Sequence, residues 1–224
     1  MPAVIVKNLQ KIYGSGETEI TALNNANVTV DHGQLVALLG PSGSGKTTLL
    51  TAIGLINEPT KGFIEVAGAK VYEDKWAEID LASFRRKNIG FIFQHHNLLP
   101  FLSAYDNVNL MLYINQIKGG EARKRIDEIF EYLEISNRIN HFPYMLSGGE
   151  NQRVAIARAI ISNPEVILAD EPTAALDTER GLKVMTMLKK IAREKNTAVI
   201  VVTHDKRMID GFDAIYNLKD GNII

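Results

Sequence analysis

The stretch "QLVALLGPSGSGKTTLL", Gln34 to Leu50, decides the fold of this chain. It starts with the continuous apolar run "QLVALLG" (34–40), as expected for a strand covered on both faces of a parallel sheet. The chain then passes through glycines into a helical pattern. Its centre, "GPSGSGKTT", matches the motif G-x-x-x-x-G-K-[ST], in which backbone amides at a helix start surround phosphate oxygens. Its position between a strand and a helix favours this phosphate loop over the alternative, a glycine-rich turn with a solvated lysine.

Two side chains of the loop have predicted tasks. We expect the Lys46 ammonium to reach the β and γ phosphates of a nucleotide and the Thr47 hydroxyl to bind Mg²⁺. The loop residues predicted to surround the phosphates are Gly40, Pro41, Ser42, Gly43, Ser44, Gly45, Lys46, Thr47 and Thr48.

Three more apolar runs repeat the strand pattern. They are "NIGFIFQ" (88–94), "EVILAD" (165–170) and "AVIVVTH" (198–204). Helical patterns follow the first strand and separate the last two, and this alternation is typical of an α/β fold with a parallel-sheet core.

The segments outside these runs predict additions to the core. Around the first strand, the alternating segments "AVIVKNLQKIY", "ITALNNANVTV" and "GFIEVAGAKVY" predict a smaller N-terminal antiparallel β subdomain. The region of about 96–163 has no strand signal but contains helical patterns such as "EARKRIDEIFEYLEI", so it predicts an inserted α-helical subdomain. The final "AIYNLKDGNII" predicts two short strands across an Asp-Gly turn. We expect a single domain, residues 1–224, to contain all of these parts.

The composition of the chain excludes several kinds of site. It has no cysteine, which removes disulfides, thiolate metal sites and cysteine nucleophiles. The formal net charge of −1 provides no basic field, so we expect no nucleic-acid partner. No segment approaches the run of about 20 apolar residues that a membrane span requires, and the start "MPAVIVKNLQKIYG" has no long apolar signal-peptide core. We therefore expect a chain that neither spans a membrane nor is exported.

Four polar residues follow the ends of core strands. Asp170 and Glu171 lie at the end of one predicted strand, and Gln94 and His204 lie at the ends of two others. Open α/β sheets bind ligands at this edge, so we expect Asp170 in the outer coordination sphere of Mg²⁺ and Glu171 to orient or deprotonate a water. Gln94 can contact Mg²⁺ or water, and His204 can donate to a γ-phosphate oxygen. Each of these residues taken alone is also consistent with a structural role, but their common edge favours the functional interpretation.

A second glycine-containing stretch, "LSGGENQRVAIARA" (146–159), begins another helix. Ser147 and Glu150 match the Ser-x-x-Glu capping box, so one interpretation is a purely local helix start. The other is that Gly148 and Gly149 let an anion approach the helix N-terminus closely. The residues of this stretch leave both interpretations open.

The order and spacing of these motifs resemble the ATP-binding-cassette (ABC) ATPases, and the resemblance covers essentially the whole chain. The phosphate loop, Gln94, "LSGGE", "ADEP", "AALD" (174–177) and "THD" follow one another as in that family. The resemblance implies a RecA-like core and Mg²⁺-dependent hydrolysis of ATP. It also implies roles: Tyr13, which the sequence alone would leave as a surface aromatic, stacks on adenine; Gln94 couples the site to a membrane partner; Glu171 is the catalytic base; and His204 contacts the γ-phosphate.

In this family the "LSGG" helix start caps the γ-phosphate of ATP bound to the opposite subunit, so the resemblance implies a head-to-tail dimer around two ATP molecules. Ser147, Gly148, Gly149 and Asp177 are the residues it adds to the nucleotide site. Two positions depart from the family pattern: Glu150 stands where Gln is usual and Ala174 where Ser is usual. We expect Glu150 not to oppose ATP if it turns back into the capping box.

Within the family, the chain is similar to the lipoprotein-release and macrolide-export group, and especially to the ATPases of cyanobacterial glycolipid-type exporters. It ends before the regulatory domain that importer ATPases generally carry. The resemblance thus implies separate transmembrane permease subunits and a cytoplasmic location, peripheral on the inner face of the plasma membrane. The alternatives are a soluble cassette ATPase acting on nucleic acid or the ribosome, and a nucleotide-gated scaffold, which would require loss of the base or its positioning residues.

Overall fold

The computed structural model describes all of residues 1–224 and contains ten strands and six α-helices. In chain order they are β1 (Pro2–Tyr13), β2 (Ile20–Asp31), β3 (Leu35–Leu39), α1 (Lys46–Ile53), β4 (Lys61–Val66), β5 (Ala69–Glu73), α2 (Leu81–Asn88), β6 (Ile89–Ile92), α3 (Ala104–Ile114), α4 (Gly119–Tyr132), α5 (Gly148–Ile160), β7 (Val166–Asp170), α6 (Thr178–Lys195), β8 (Ala198–Thr203), β9 (Ala214–Lys219) and β10 (Asn222–Ile223).

The main sheet has the strand order β10-β9-β3-β8-β7-β6. All neighbouring pairs are parallel except the terminal β9–β10 pair, so the α/β prediction and the four predicted core strands are confirmed. Successive side chains point to opposite faces of a strand, and on β7 Val166 and Leu168 enter one apolar cluster while Ile167 and Ala169 enter another. Both faces of the sheet are therefore covered, which explains the continuously apolar strands.

The predicted N-terminal antiparallel sheet is present, with the strand order β2-β1-β4-β5. Its apolar side chains join those of α1 in the cluster on one face of the main sheet. Because β2 runs beside the phosphate loop, this small sheet also forms one wall of the site described below.

Between Ile92 and Val166 the chain forms helices and no strand. The predicted helix "EARKRIDEIFEYLEI" is α4. Side chains of α3, α4, α5 and α6 form one continuous apolar cluster with the second face of the main sheet, so this helical region shares its core with the rest of the protein. The exact bounds of an inserted subdomain at about 96–163 stay a prediction.

The predicted C-terminal hairpin is β9 and β10, joined by Asp220 and Gly221. Both turn residues have a positive φ, 49° and 77°, as a two-residue type I′ turn requires. Strand β9 pairs in parallel with β3, so the hairpin extends the main sheet. None of the helices combines the length and the apolar composition needed to cross a membrane.

Candidate functional site

The phosphate-loop segment turns tightly between β3 and α1, and two glycines make that turn possible. A Cβ on Gly40 would lie 2.2 Å from the carbonyl oxygen of Leu218 on β9. A Cβ on Gly45 would lie 2.4 Å from the carbonyl oxygen of Ala22 on β2, and Gly45 has a φ of 101°. Any other residue would displace the backbone at either position, so neighbouring strands fix the shape of the loop.

The loop presents backbone donors that have no partner within the chain. The amides of Gly43, Gly45, Lys46, Thr47 and Thr48 make no intrachain hydrogen bond, as expected at the N-terminus of a helix. The hydroxyl of Ser44 is buried and also lacks a partner. Unpaired amides at a helix start, next to an unsatisfied buried hydroxyl, fit the oxygens of a nucleotide phosphate chain.

The Lys46 side chain folds back over the loop. Its Nζ donates to the carbonyl oxygens of Gly40 at 2.8 Å and Pro41 at 2.7 Å, which leaves one of its three protons free. Burial lowers the pKa of Lys46, and the negative charges of Glu171 and Asp170 oppose that shift. An anionic phosphate would supply the missing partner for this ammonium.

Asp170, at the end of β7, contacts Thr47, at the start of α1, although β7 is not a neighbour of β3, the strand that leads into α1. The sequence placed the carboxylate beside the loop only if β7 adjoined β3, but β8 lies between them. Contact arises because α1 crosses both β8 and β7, and Thr47 Oγ1 lies 3.4 Å from each Asp170 carboxylate oxygen. Burial raises the pKa of Asp170, while the Thr47 hydrogen bond lowers it in part.

This pair suits a magnesium ion that is held jointly by protein and phosphate. The chain has no cluster of three or more His, Cys, Asp or Glu side chains able to hold a metal by themselves. Mg²⁺ commonly uses only one or two protein carboxylates, with waters and substrate phosphates as its other ligands. Thr47 and Asp170, with the Gln94 amide nearby in the same cavity, fit that requirement.

Glu171 and His204 form a second pair at the same edge. The Glu171 backbone takes a left-handed φ of 47°, and its amide donates to Val202 on β8 at 3.0 Å. Its Oε1 lies 2.8 Å from His204 Nδ1. The Glu171 side chain is 16% exposed and that of His204 65%, so the carboxylate is sheltered and the imidazole reaches outward. A sheltered carboxylate beside a hydrogen-bond donor is suited to accepting a proton from water.

One cavity of about 400 Å³ brings most of these groups together. The predicted site residues that line it are Ser42, Gly43, Gly45, Lys46, Thr47, Thr48, Gln94, Asp170, Glu171 and His204. Gly40, Pro41 and Ser44 belong to the loop but do not line the cavity. Ala22 and Val202 also line the cavity, and no pattern in the sequence pointed to them, because an apolar strand residue carries no chemical signal.

Tyr13 does not line this cavity. It ends β1 with 39% of its surface exposed, Lys11 Nζ lies 4.8 Å from its ring centroid, and its hydroxyl accepts a hydrogen bond from Asn57. Its predicted stacking on adenine stays a prediction. The exposed ring is compatible with it.

The "LSGGE" segment lies outside the phosphate-loop cavity of the same chain. Ser147 is the N-cap of α5 and Glu150 closes a full capping box, while the amides of Gly148 and Gly149 make no intrachain hydrogen bond. The local helix cap is therefore present and leaves these two amides open, and an anion bound at them stays a prediction. Ser147 and Gly149 line a separate cavity of about 320 Å³. Asp177 caps α6 by accepting from the Arg180 amide at 2.9 Å.

Glu150 turns back into the capping box, as required for it not to oppose a bound phosphate. Its Oε2 accepts from the Ser147 amide at 2.8 Å, and its Oε1 accepts from Arg138 Nε at 2.6 Å. The hydrogen bond from Arg138, followed by that from the Ser147 backbone, lowers the pKa of Glu150 to about 2. Arg138 was not predicted, because it lies twelve residues away in a short 3₁₀ turn with no motif.

Comparison with known proteins gives a consistent result. The sequence profile of the family described as "ABC transporter" matches residues 23–174. An ABC transporter ATP-binding protein of Methanocaldococcus jannaschii, MJ0796, is 45% identical over 222 residues, which cover 97% of this chain and 94% of that protein. The lipoprotein-releasing system ATP-binding protein LolD of Geobacter metallireducens is 39% identical over 219 residues, covering 98% of this chain and 96% of that protein.

The fold is also similar to solved structures. The dimeric structure of a post-hydrolysis state of MJ0796 bound to ADP and Pi has 43% identity and a TM-score of 0.87. The match covers 98% of this chain and 96% of that one.

Proposed function

Because the chain belongs to the ABC transporter family, as a nucleotide-binding ATPase of the lipoprotein-release and macrolide type, we propose that it powers an exporter built with separate membrane subunits. The cavity in which the phosphate loop, Asp170, Glu171 and His204 converge supports ATP hydrolysis, and the similarity to the lipoprotein-releasing LolD supports export. The further resemblance to glycolipid-type exporters stays a prediction. The alternative of action on nucleic acid or the ribosome gains no support, since the relatives compared above are transporter ATP-binding proteins.

The working unit we propose is a dimer with two shared ATP sites. A head-to-tail arrangement would bring the open amides of Gly148 and Gly149 in one copy to the phosphate loop of the other. Two observations support it: these amides lie outside the cavity of their own chain, and the similar MJ0796 cassette is dimeric with ADP and Pi. Asp177, at the start of α6, would lie near the contact between copies.

In the proposed reaction, water attacks the γ-phosphorus, the bond to the β-phosphate oxygen breaks, and ADP and phosphate leave. Glu171 accepts the proton of the attacking water, and His204 contacts a γ-phosphate oxygen through the ring nitrogen that does not face Glu171. Lys46 and the loop amides hold the phosphates. A Mg²⁺ ion, when bound by Thr47, Asp170 and Gln94, would neutralise charge that develops on the phosphate oxygens.

Replacing Lys46 by Ala should weaken ATP binding at least about tenfold, because a charge-assisted hydrogen bond to phosphate is lost. Titration with a fluorescent ATP analogue would measure the change. Lys70→Ala is the matched control, since Lys70 lies on β5 in an exposed ion pair with Glu73. Unchanged affinity of the Lys46→Ala chain would contradict the phosphate-loop assignment.

A membrane subunit would dock beside Gln94. There, an apolar groove of about 350 Å³ runs between β6 and α3 and is lined by Phe91, Phe93, Leu99, Leu110 and Met111, among others. The apolar segment "HHNLLPFLSAY" (95–105) predicts either a docking surface for a partner or packing inside the helical region, and in the structure it divides between the two. Leu98 packs on the core, whereas Leu99 lines the groove and Phe101 is 72% exposed. The occupant we propose is a short amphipathic segment of the permease.

A photo-crosslinking amino acid at Phe101 should capture an integral membrane protein in cells, whereas the same amino acid at Ile20 should not. Ile20 is a suitable control because it is similarly exposed, at 66%, but lies on β2. Mass spectrometry would identify the captured protein, and capture of an integral membrane protein would support the proposed peripheral location at the membrane. If Phe101 captured only cytosolic proteins, the docking site would be wrong.

A further inference from the structure

The start of α5 carries a negative charge close to its open amides. Glu150 lies in the first turn, directly after Gly148 and Gly149, whose amides have no intrachain partner. The positive end of a helix attracts an acidic side chain and a phosphate alike, and the two compete when both are near. An unrestrained Glu150 would therefore repel a phosphate at these amides, or bind the amides itself.

Arg138 is the group that removes this conflict. Its Nε holds Oε1 of Glu150 at 2.6 Å, and the Ser147 amide holds the other oxygen, so neither oxygen is left to face the open amides. The Arg138 backbone is itself fixed, because its amide donates to Ile135 and its carbonyl accepts from His141. The ion pair adds no net charge to the helix start.

The cations that line the cavity beside Ser147 and Gly149 are already paired. Each has its own acidic partner: Arg153 with Glu134 at 3.1 Å, Arg180 with Asp177 at 3.4 Å and Lys183 with Glu179 at 2.7 Å. The Arg138 and Glu150 side chains are 36% and 26% exposed, and an ion pair with this much exposure contributes little to stability. Its effect is to set where the charge of Glu150 lies.

We propose that Arg138 is a positioning residue for the shared ATP site, which it makes usable by holding the Glu150 carboxylate away from the phosphate of the opposing copy. This role rests on the proposed function, in which the start of α5 binds ATP held by a second chain. A glutamate can then stand at this position because a cation twelve residues earlier in the sequence neutralises and orients it.

The test uses the Glu171→Gln chain, in which ATP should persist and dimers should accumulate. Adding Arg138→Met should weaken ATP-dependent dimerisation about tenfold and leave the affinity of the monomer for a fluorescent ATP analogue unchanged. Adding Glu150→Gln as well should restore dimerisation, because a neutral amide needs no cation. Arg125→Met is the matched control, since Arg125 pairs with Glu121 at the same 2.6 Å distance and with the same 36% exposure, but on α4.

Analytical ultracentrifugation with ATP gives the dimer dissociation constants. Rescue by Glu150→Gln distinguishes a charge effect from damage to the fold, which the second substitution would not repair. The role of Arg138 is overturned if Arg138→Met dimerises like its parent, or if the Arg138→Met and Arg138→Met/Glu150→Gln chains are equally weak. If the Glu171→Gln parent itself forms no dimer with ATP, the shared site is wrong, and the role of Arg138 is wrong with it.

Discussion

Replacing Glu171 by Gln should lower the rate of ATP hydrolysis about 10²- to 10⁴-fold, the range typical for loss of a general base. The amide keeps the shape of the side chain and can keep a hydrogen bond to His204, but it cannot accept the proton of the attacking water. The affinity for ATP should change little, because the phosphate-loop amides and Lys46 are untouched. Phosphate release and binding of a fluorescent ATP analogue would measure the two effects separately.

Glu165→Gln provides a matched control for this experiment. Glu165 also faces a histidine, with Oε2 at 3.4 Å from His32 Nδ1, but it precedes β7 and lies at the opposite end of that strand from Asp170. Its substitution should leave the rate of hydrolysis nearly unchanged. Equal losses in the two variants would point to a general loss of structure, and full activity of the Glu171→Gln chain would exclude Glu171 as the base.

The Glu171→Gln substitution should also convert a transient ATP-bound dimer into a lasting one. A site that binds ATP but cannot cleave it keeps the ligand that joins the two copies, so mass action favours the dimer. Light scattering should show a shift from monomer to dimer with ATP and no shift with ADP. The absence of any shift with ATP would contradict the proposed sharing of the site.

Much of the fold could be predicted because the core strands are continuous apolar runs. Strands β3, β6, β7 and β8 all begin and end within two residues of the predicted runs. The order of these strands could not be predicted, since β8, from the far end of the chain, lies between β3 and β7. Such pairings depend on how the crossover helices pack on the sheet, and the local hydrophobic pattern does not determine that packing.

The grouping of the polar site residues could also be predicted from the core strands. Parallel strands end at one edge, so polar residues such as Asp170 and His204 could be grouped before their distances were known. Contacts between distant and unremarkable positions could not be found in this way. The Ala22 carbonyl that constrains Gly45 and the Arg138 side chain that holds Glu150 both depend on tertiary packing, and neither belongs to a motif.

Two inactive chains should restore activity to each other if the start of α5 completes the ATP site of a partner. Lys46→Ala removes the phosphate contact of one half-site, and Ser147→Arg blocks the helix N-terminus that forms the other. In a mixed dimer, one site combines both defects. The second site joins the intact phosphate loop of the Ser147→Arg chain to the intact helix start of the Lys46→Ala chain. Each variant alone has no sound site, whereas the mixed dimer has one.

Mixing equal amounts of the two chains should therefore raise ATPase activity from background to at most about a quarter of that of the unsubstituted protein. Half of the dimers are mixed, and each mixed dimer has one sound site of two. Lys46→Ala mixed with Glu171→Gln is the matched control. Both defects fall in the phosphate-loop half-site, so every ATP site in every dimer carries one defect and no activity should return. If turnover requires both sites, the mixture should still form ATP-dependent dimers when the Ser147→Arg chain also carries Glu171→Gln. A mixture with neither activity nor ATP-dependent dimers would mean that Ser147, Gly148 and Gly149 act only on their own chain, as a helix start and nothing more.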